Sequence, residues 1–237
     1  RKIGRRLQSL PSKLARSNFL PMDLSKYQTI IFDCDGVILN SNFQKIEAYR
    51  NTAITYGASK IQADELVAHH VELTGISRHI KFKYFLKEIM HEEVTASSMR
   101  TLVNNLNEEV INLLKDCEVA SGIGRLKIQT QKSTWMVASG GDQNELRFLF
   151  KEKKIASYFD GGIYGSPASK YEIVESKLKQ KNFLPVLFLG DSLYDIQTAQ
   201  KYNLDFIFVY GWTDLKDWKK ICDEKKLTYI EKIEDLV

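Results

Sequence analysis

The stretch "IIFDCDGVILNS", residues 30–41, ends an apolar run with two acidic residues that are one position apart. Asp33 follows the apolar residues directly, Cys34 separates it from Asp35, and a glycine comes next. Carboxylates this close repel each other, so either a divalent cation or a shared proton is expected to compensate them. The stretch therefore predicts a buried strand that ends in a polar site.

Three further apolar runs follow the pattern of this first strand, "TIIFD" (29–33). They are "TWMVAS" (134–139), "VLFLGD" (186–191) and "FIFVY" (206–210). Continuous apolar runs are typical of strands that are buried on both faces. Helical patterns alternate with them at about 41–56, 142–153, 170–181 and 193–202. This alternation predicts an α/β fold with a parallel, doubly wound, Rossmann-like sheet.

The stretch from about 60 to 117 differs from the rest, because it has no strand-like run, no proline and a single glycine, Gly75. Apolar residues recur at helical spacing in "HIKFKYFLKEIM" and "LVNNLNEEVINLLK". We therefore expect an all-helical insertion after the first strand and helix. The predicted parts are a basic arm or linker of residues 1–26, a core of 27–58 and 118–237, and a helical insertion of 59–117.

Charge and composition indicate a globular chain without membrane spans. The 237 residues are 43% hydrophobic, and no apolar stretch approaches the roughly 20 residues of a membrane span. Seven basic residues and one acid give residues 1–26 a net charge of +6, so the rest of the chain has −2 of the total of +4. The arm lacks interleaved aromatic residues, so a solvated linker is favoured over an arm that binds nucleic acid, an anionic membrane or a neighbouring domain.

The three cysteines, Cys34, Cys117 and Cys222, are far apart and form no CxxC pair. This spacing favours a reducing compartment, hence a cytoplasmic location, over a disulfide framework or a zinc site. The chain begins with Arg1 rather than Met, so other domains of a longer parent chain remain candidate partners.

Polar groups follow three of the predicted strands, at the edge where open parallel sheets bind ligands. This edge is expected to collect Asp33 and Asp35, Ser139 with Gly140 behind it, Asp191, and Lys170 from "YGSPASK". Phosphoryl transfer needs such groups: a nucleophile in line, a cation, and donors that bind the phosphate. Asp33 is the candidate nucleophile, which would form an aspartyl-phosphate, and Asp35 is the candidate general acid and base.

The other groups have matching roles. Candidate Mg²⁺ ligands are Asp33, the backbone carbonyl of Asp35, and Asp191. Ser139 and the N–H groups that follow it, beginning with Gly140, are candidates for holding the phosphate at a helix start. Lys170 is expected to neutralise both nucleophile and phosphate.

Together "DCDGVILNS", "VASGG", "GSPASK" and "GDSLYD" resemble the haloacid-dehalogenase-like (HAD) hydrolase superfamily over about residues 27–210. The resemblance implies the same roles for Asp33, Asp35, Ser139, Lys170 and Asp191, and it adds Asp195 as support for the metal or its waters. An acid at position 35 resembles the phosphatases and phosphomutases rather than the dehalogenases, which lack it. The helical insertion resembles the cap of that superfamily, which closes over the site and selects the substrate.

The chain departs from the family pattern at three places. Asn40 stands before Ser41 where an acid is frequent, and "SGG" replaces the more usual Ser–Asn or Ser–Ser. Ser166 stands where many relatives have the lysine of "GKP", and the lysine of this chain, Lys170, comes three residues after Pro167. None of these changes removes a catalytic group.

The segment "HHVELTGISRHIKFKYF" (69–85) concentrates basic and aromatic residues within the predicted cap. Arg78 and Lys81 are the candidate substrate contacts. The alternative is a basic, exposed helix face over a core stripe of Phe82, Phe85 and Ile89. The segment is similar to HAD members of bacterial surface-polysaccharide pathways, which implies a sugar-phosphate substrate.

The sequence therefore predicts a Mg²⁺-dependent phosphatase that hydrolyses a small phosphomonoester through an aspartyl-phosphate. Two alternatives stay open: a phosphomutase of the β-phosphoglucomutase type, and a non-catalytic module of a larger biosynthetic protein. "GIGRLK" (122–127) lacks the third glycine of a dinucleotide fingerprint and no P-loop is present, which speaks against nucleotide-driven classes.

Overall fold

A computed structural model describes residues 22–237, within which six strands form one parallel sheet. The strands are β1 (Thr29–Phe32), β2 (Thr134–Asp142), β3 (Gly162–Ser166), β4 (Val186–Gly190), β5 (Asp205–Val209) and β6 (Thr228–Ile230). Their order across the sheet is β3-β2-β1-β4-β5-β6, and all neighbours run parallel. The chain winds one way from β1 to β3 and the other way from β4 to β6. This topology confirms the predicted doubly wound α/β class.

Helices connect and flank the strands. They are α1 (Asn42–Tyr56), α2 (Lys60–Glu72), α3 (Arg78–Tyr84), which continues as a π-helical turn (Phe85–Ile89), α4 (Ala96–Leu114), α5 (Ile123–Gln129), α6 (Gln143–Glu152), α7 (Lys170–Leu178), α8 (Leu193–Lys201) and α9 (Trp218–Lys225). Within the described residues no helix is both long and apolar enough to cross a membrane.

The sheet is buried on both faces because its strands alternate between two apolar cores. Ile30 and Phe32 face the larger core, where Phe32 lies 4.6 Å from the Trp135 ring between centroids. Ile31 points the other way, into a core that includes Met136 and Phe188. All four residues of β1 are buried, which explains why its sequence is a continuous apolar run.

Two strands and two helices were missed by the sequence prediction. β3 reads "GIYGS" and β6 has three residues at the sheet edge, so neither forms an apolar run. The short helices α5 and α9 were also not predicted.

Residues 60–114 are helical apart from short connections, as the sequence indicated. A stripe at helical spacing is buried along α4: Leu102, Leu106, Val110 and Leu114. The sequence prediction placed α1 in the core, but α1 packs mainly against α2 and α4.

The predicted arm of 1–26 lies mostly outside the described residues. Its last part forms a single 3-10 turn, Leu24–Lys26. Beyond it, the Tyr27 hydroxyl donates a hydrogen bond of 2.7 Å to Asp205 Oδ2, which fastens the start of the described chain to β5.

Candidate active site

Three buried carboxylates lie together at the carboxyl ends of the central strands β1 and β4. Asp33 follows β1, Asp191 follows β4, and Asp195 lies in the first turn of α8. One oxygen of each lies within 4.8 Å of the others. Because the winding direction reverses between β1 and β4, this is the edge at which doubly wound sheets bind ligands. The structure therefore brings together three of the acids that the sequence assigned to the site.

Lys170, the first residue of α7, lies between two of these carboxylates. Its Nζ is 2.9 Å from Asp33 Oδ2 and 2.5 Å from Asp195 Oδ1, and the side chain is buried. Burial alone would lower the pKa of Lys170, but Asp195 and Asp33 outweigh it and raise the pKa. The Ser169 hydroxyl accepts a hydrogen bond from Glu172 N, which caps α7 and fixes where Lys170 begins the helix.

One lysine does not neutralise three carboxylates. Burial, then the charge of Asp195, raises the pKa of Asp33 to about 8. Burial, then Asp33 and Asp195, raises the pKa of Asp191 well above its usual range. Asp191 Oδ2 accepts a hydrogen bond of 3.1 Å from Asn42 Nδ2, whereas its Oδ1 is buried with no hydrogen-bond partner. These hard, crowded oxygen donors fit a divalent cation such as Mg²⁺.

The Asp35 carboxylate lies apart from these three and is held by other partners. Ser41 Oγ donates a hydrogen bond of 2.6 Å to Asp35 Oδ1, and Lys45 Nζ lies 3.3 Å from Asp35 Oδ2. Burial alone would raise the pKa of Asp35, but Lys45 and Ser41 outweigh it and hold the pKa below its usual value. The side chain is thus free of the acid cluster, so the ligand role predicted for Asp35 rests on its backbone carbonyl.

Gly36 lets the first loop pass close to Asp191. Its φ is +77°, a conformation that side chains other than glycine rarely adopt, and a Cβ there would overlap Asp191 Oδ2. The glycine of the opening motif is therefore required both by the turn and by the neighbouring carboxylate.

The predicted phosphate-binding segment lies beside the acids, at the end of β2. Ser139 is buried, and its Oγ accepts a hydrogen bond of 3.0 Å from Gly141 N. β2 continues to Asp142, whose Oδ1 caps α6, so the N–H groups after Ser139 belong to the strand end and not to a helix start as the sequence suggested. Gly140 lies next to Ser139, where both border a cavity.

The helical insertion lies directly on this strand end. A Cβ at Gly140 would overlap the backbone oxygen of Gly75, so the two backbones are in contact. Next to that contact, the Ser77 and Ser166 hydroxyl oxygens are 2.7 Å apart. The cavity beneath has a volume of about 40 Å³. It is bounded by Asp33, Asp35, Asn42, Lys45, Tyr49, His70, Thr74, Gly75, Ile76, Arg78, Lys81, Ser139, Gly140 and Gly141.

The candidate substrate contacts Arg78 and Lys81 are buried and line this cavity, so they do not form the exposed basic face that was the alternative. Lys83 on the same helix is exposed. The predicted apolar stripe of Phe82, Phe85 and Ile89 is buried as well. The helix therefore has both an apolar packing stripe and a basic side that faces the cavity.

Four residues of the site were not found by sequence reasoning: Lys45, Tyr49, His70 and Glu145. Glu145 on α6 accepts from both Lys45 (3.1 Å) and Arg78 (2.9 Å), and Tyr49 stacks on His70 with 4.1 Å between ring centroids. Lys45 and Glu145 are far apart in sequence, and no local motif marks either residue. Only the tertiary structure brings them together.

Comparison with protein-family models gives one match, to Haloacid dehalogenase-like hydrolase, over residues 30–209. No curated protein sequence matches the chain significantly. Many solved structures share the fold. One from Clostridium acetobutylicum, described as a predicted phosphatase, is 18% identical with a TM-score of 0.68, and the match covers 90% of this chain and 97% of that one.

Two other solved structures resemble the chain over nearly their whole length. A predicted phosphoglycolate phosphatase from Haemophilus somnus is 15% identical with a TM-score of 0.67, and 90% of this chain and 98% of that one are covered. A β-phosphoglucomutase from Clostridium difficile is 18% identical with a TM-score of 0.65, covering 89% and 93%. At these identities the neighbours establish the shared fold.

Proposed function

The chain belongs to the haloacid dehalogenase-like hydrolase family, and from this premise we propose that it is a Mg²⁺-dependent phosphatase that hydrolyses a small phosphomonoester, a sugar phosphate. The observation that carries the proposal is the convergence of Asp33, Asp191 and Asp195 around Lys170, with Ser139 and Asp35 on the same cavity. A non-catalytic module would have no need of three buried carboxylates that repel one another.

Asp33 and Asp35 divide the chemistry between them. An Asp33 oxygen attacks phosphorus while the bond from phosphorus to the ester oxygen breaks, and Asp35 gives its proton to that oxygen. The alcohol then leaves. In the second step the Asp35 carboxylate takes a proton from water as the water oxygen bonds to phosphorus, and the Asp33–phosphorus bond breaks to release inorganic phosphate.

The protonation state of Asp35 fits both steps. Without substrate, Lys45 and Ser41 hold Asp35 in its carboxylate form, which is the form that accepts the proton of water. A phosphate dianion that arrives beside Asp35 raises its pKa, because a nearby negative charge disfavours ionisation. Substrate binding therefore supplies the condition under which Asp35 carries the proton needed in the first step.

Mg²⁺ would be held by Asp33, Asp191 and the backbone carbonyl of Asp35, with Asp195 supporting it or its waters. When bound, it neutralises the phosphate oxygens and offsets the repulsion among the carboxylates. Lys170 keeps Asp33 and Asp195 in place. The Ser139 hydroxyl and the Gly140 N–H group bind the transferred phosphate.

We assign the helical insertion the role of a cap, with α1 as its first helix. The contacts of Gly75 with Gly140 and of Ser77 with Ser166 support this assignment, because they place the insertion over the strand ends. Closure of such an element excludes water from the reaction. A cytoplasmic location is supported by the three free, buried cysteines.

A phosphomutase is the second candidate, supported by the neighbours described as β-phosphoglucomutases. A link to polysaccharide biosynthesis is consistent with either activity on sugar phosphates.

A screen of metabolite phosphates with Mg²⁺, read as inorganic phosphate, tests the proposal. We expect release from at least one sugar phosphate, and loss of roughly a thousandfold or more in Asp33→Asn, which lacks the nucleophile. Asp116→Asn, a change of an exposed aspartate, is the matched control. Isomerised sugar phosphate with little free phosphate would identify a mutase, and activity retained in Asp33→Asn would refute both.

A further inference from the structure

Lys81 is a buried basic side chain without an acidic partner. Its side chain, on α3, is 2% exposed. Its Nζ lies 2.9 Å from His70 Nδ1 and 3.4 Å from the His70 backbone oxygen. Within residues 22–237 no carboxylate lies within 4.0 Å of this nitrogen. Because an unpaired buried charge is costly, burial favours the neutral amine, and an anion bound beside Lys81 would restore the ammonium form.

The neighbours of Lys81 hold it in place without neutralising it. Burial, then the charge of Lys81, lowers the pKa of His70 well below its usual value, so the ring is neutral and its Nδ1 accepts the hydrogen bond. The ring stacks on Tyr49, which fixes its orientation. Lys81 Nζ also lies 5.4 Å from the centre of the Tyr49 ring. The ammonium is therefore positioned by neutral groups only.

The nearby carboxylates are already engaged by other cations. Lys45 contacts both Asp35 and Glu145, and Arg78 contacts Glu145. This part of the molecule thus has three basic side chains, Lys45, Arg78 and Lys81, against two carboxylates. Arg78 Nε is also buried without a hydrogen-bond partner. Arg78 with its unsatisfied Nε and Lys81 with no acidic partner line the same cavity, which indicates a missing negative group there.

The two ends of the cavity have opposite character. The end at Asp33 is rich in carboxylates, fits the metal and receives the transferred phosphate under the proposed function. Lys81 and Arg78 belong to the helical insertion, which supplies its own part of the lining of the cavity. An ester whose phosphate lies at Asp33 therefore directs its leaving group towards Lys81.

Resting on the proposed phosphatase function, we propose that the leaving group of the natural substrate carries a second anionic group, which binds Lys81 Nζ. The substrate class is then a phosphorylated sugar or small polyol that also bears a carboxylate or a second phosphate. A sugar phosphate with no second anionic group would offer Lys81 no counter-ion.

Matched pairs of esters test this inference. We would compare kcat/KM for 6-phosphogluconate against glucose 6-phosphate, and for fructose 1,6-bisphosphate against fructose 6-phosphate. The first pair probes a carboxylate and the second probes another phosphate. We expect the wild type to prefer the anionic member of at least one pair by about tenfold or more. Lys81→Met should reduce that preference to within about threefold, whereas Lys83→Met, an exposed lysine of the same helix, should keep it.

A binding measurement separates this inference from the proposed function. Calorimetry with Asp33→Asn reports affinity for the same four esters without turnover. We expect the anionic preference in Asp33→Asn and its loss in Asp33→Asn/Lys81→Met, with circular dichroism to verify folding. No preference in either pair, or a preference that survives in Lys81→Met, would overturn the inference while hydrolysis stands. Absence of phosphate release together with a Lys81-dependent preference would instead overturn the phosphatase and keep the anion site.

Discussion

Arg78 of the helical insertion and Glu145 of α6 form a buried ion pair across the cavity wall. Arg78 Nη2 lies 2.9 Å from Glu145 Oε2, and both side chains are at most 3% exposed. Arg78 also donates to Asn107 on α4, and Lys45 contacts the other oxygen of Glu145. One glutamate from a sheet-side helix therefore compensates two cations, one on α1 and one on α3.

Glu145→Gln should destabilise the protein strongly, because it leaves Lys45 and Arg78 with less compensating charge. Breaking a buried pair typically costs about 3 kcal/mol or more of the free energy of unfolding. Urea unfolding measures the effect, with Glu152→Gln at the exposed end of α6 as the control. Equal stability of the two variants would show that the buried pair contributes nothing.

Mg²⁺ should raise the melting temperature of the wild type, because an ion that binds only the folded state stabilises it. Asp191→Asn should need at least about tenfold more Mg²⁺ for the same shift, since it removes the carboxylate whose Oδ1 has no partner. Excess EDTA should abolish phosphate release, and added Mg²⁺ should restore it. A melting curve of the wild type that does not respond to Mg²⁺ would contradict the metal assignment.

The stability of the protein should depend on pH through Lys81. Burial, then Lys45, lowers the pKa of Lys81 from 10.5 to about 7. Between these values the unfolded chain binds more protons than the folded one, so the contribution of Lys81 to stability rises with pH. Relative to Lys81→Met, the wild type should gain up to about 1.4 kcal/mol per pH unit between roughly pH 7 and pH 10.

Urea unfolding of both proteins across that pH range measures the difference. Lys83→Met changes an exposed lysine of the same helix, and its difference from the wild type should not follow this slope. A constant gap between the wild type and Lys81→Met over the whole range would disprove the buried, shifted lysine.

Gly36→Ala should impair the site more than the backbone strain alone explains. Gly36 and Gly57 both have positive φ angles, of +77° and +114°, so an alanine strains either turn by about 1–2 kcal/mol. A Cβ at Gly36 would also overlap Asp191, whereas a Cβ at Gly57 meets nothing within 4 Å. We expect Gly36→Ala, but not Gly57→Ala, to weaken the Mg²⁺ response of the melting curve. If the melting curves of Gly36→Ala and Gly57→Ala respond equally to Mg²⁺, Gly36 does not help to position Asp191.

The parts of the fold that could be predicted are those with strong local patterns. β1 and β4 are continuous apolar runs that end in acids, so both the strands and the positions of Asp33 and Asp191 followed from the sequence. "GIYGS" has two glycines and only two apolar side chains, and its pairing with β2 depends on a long-range neighbour. Its assignment as β3 therefore needed the tertiary structure.

The residues on the substrate side of the site were harder to predict from the sequence, for a related reason. A helix with Arg78, Lys81 and Lys83 has the composition of an exposed face, and periodicity does not tell which cation is buried. Glu145 compensates Arg78 from another part of the chain, so the charge balance becomes visible only after folding. Lys45 follows the opening motif, yet nothing local marks it as a partner of Asp35.

The contact between Gly75 and Gly140 has a consequence for engineering and for evolutionary drift. At this point the helical insertion and the sheet meet backbone to backbone, and a Cβ at Gly75 would also come within 3.4 Å of Lys170 Nζ. A side chain at position 140 would push the helical insertion away from the strand end. Attempts to widen the substrate range should therefore change other residues that line the cavity and leave this pair of glycines unchanged.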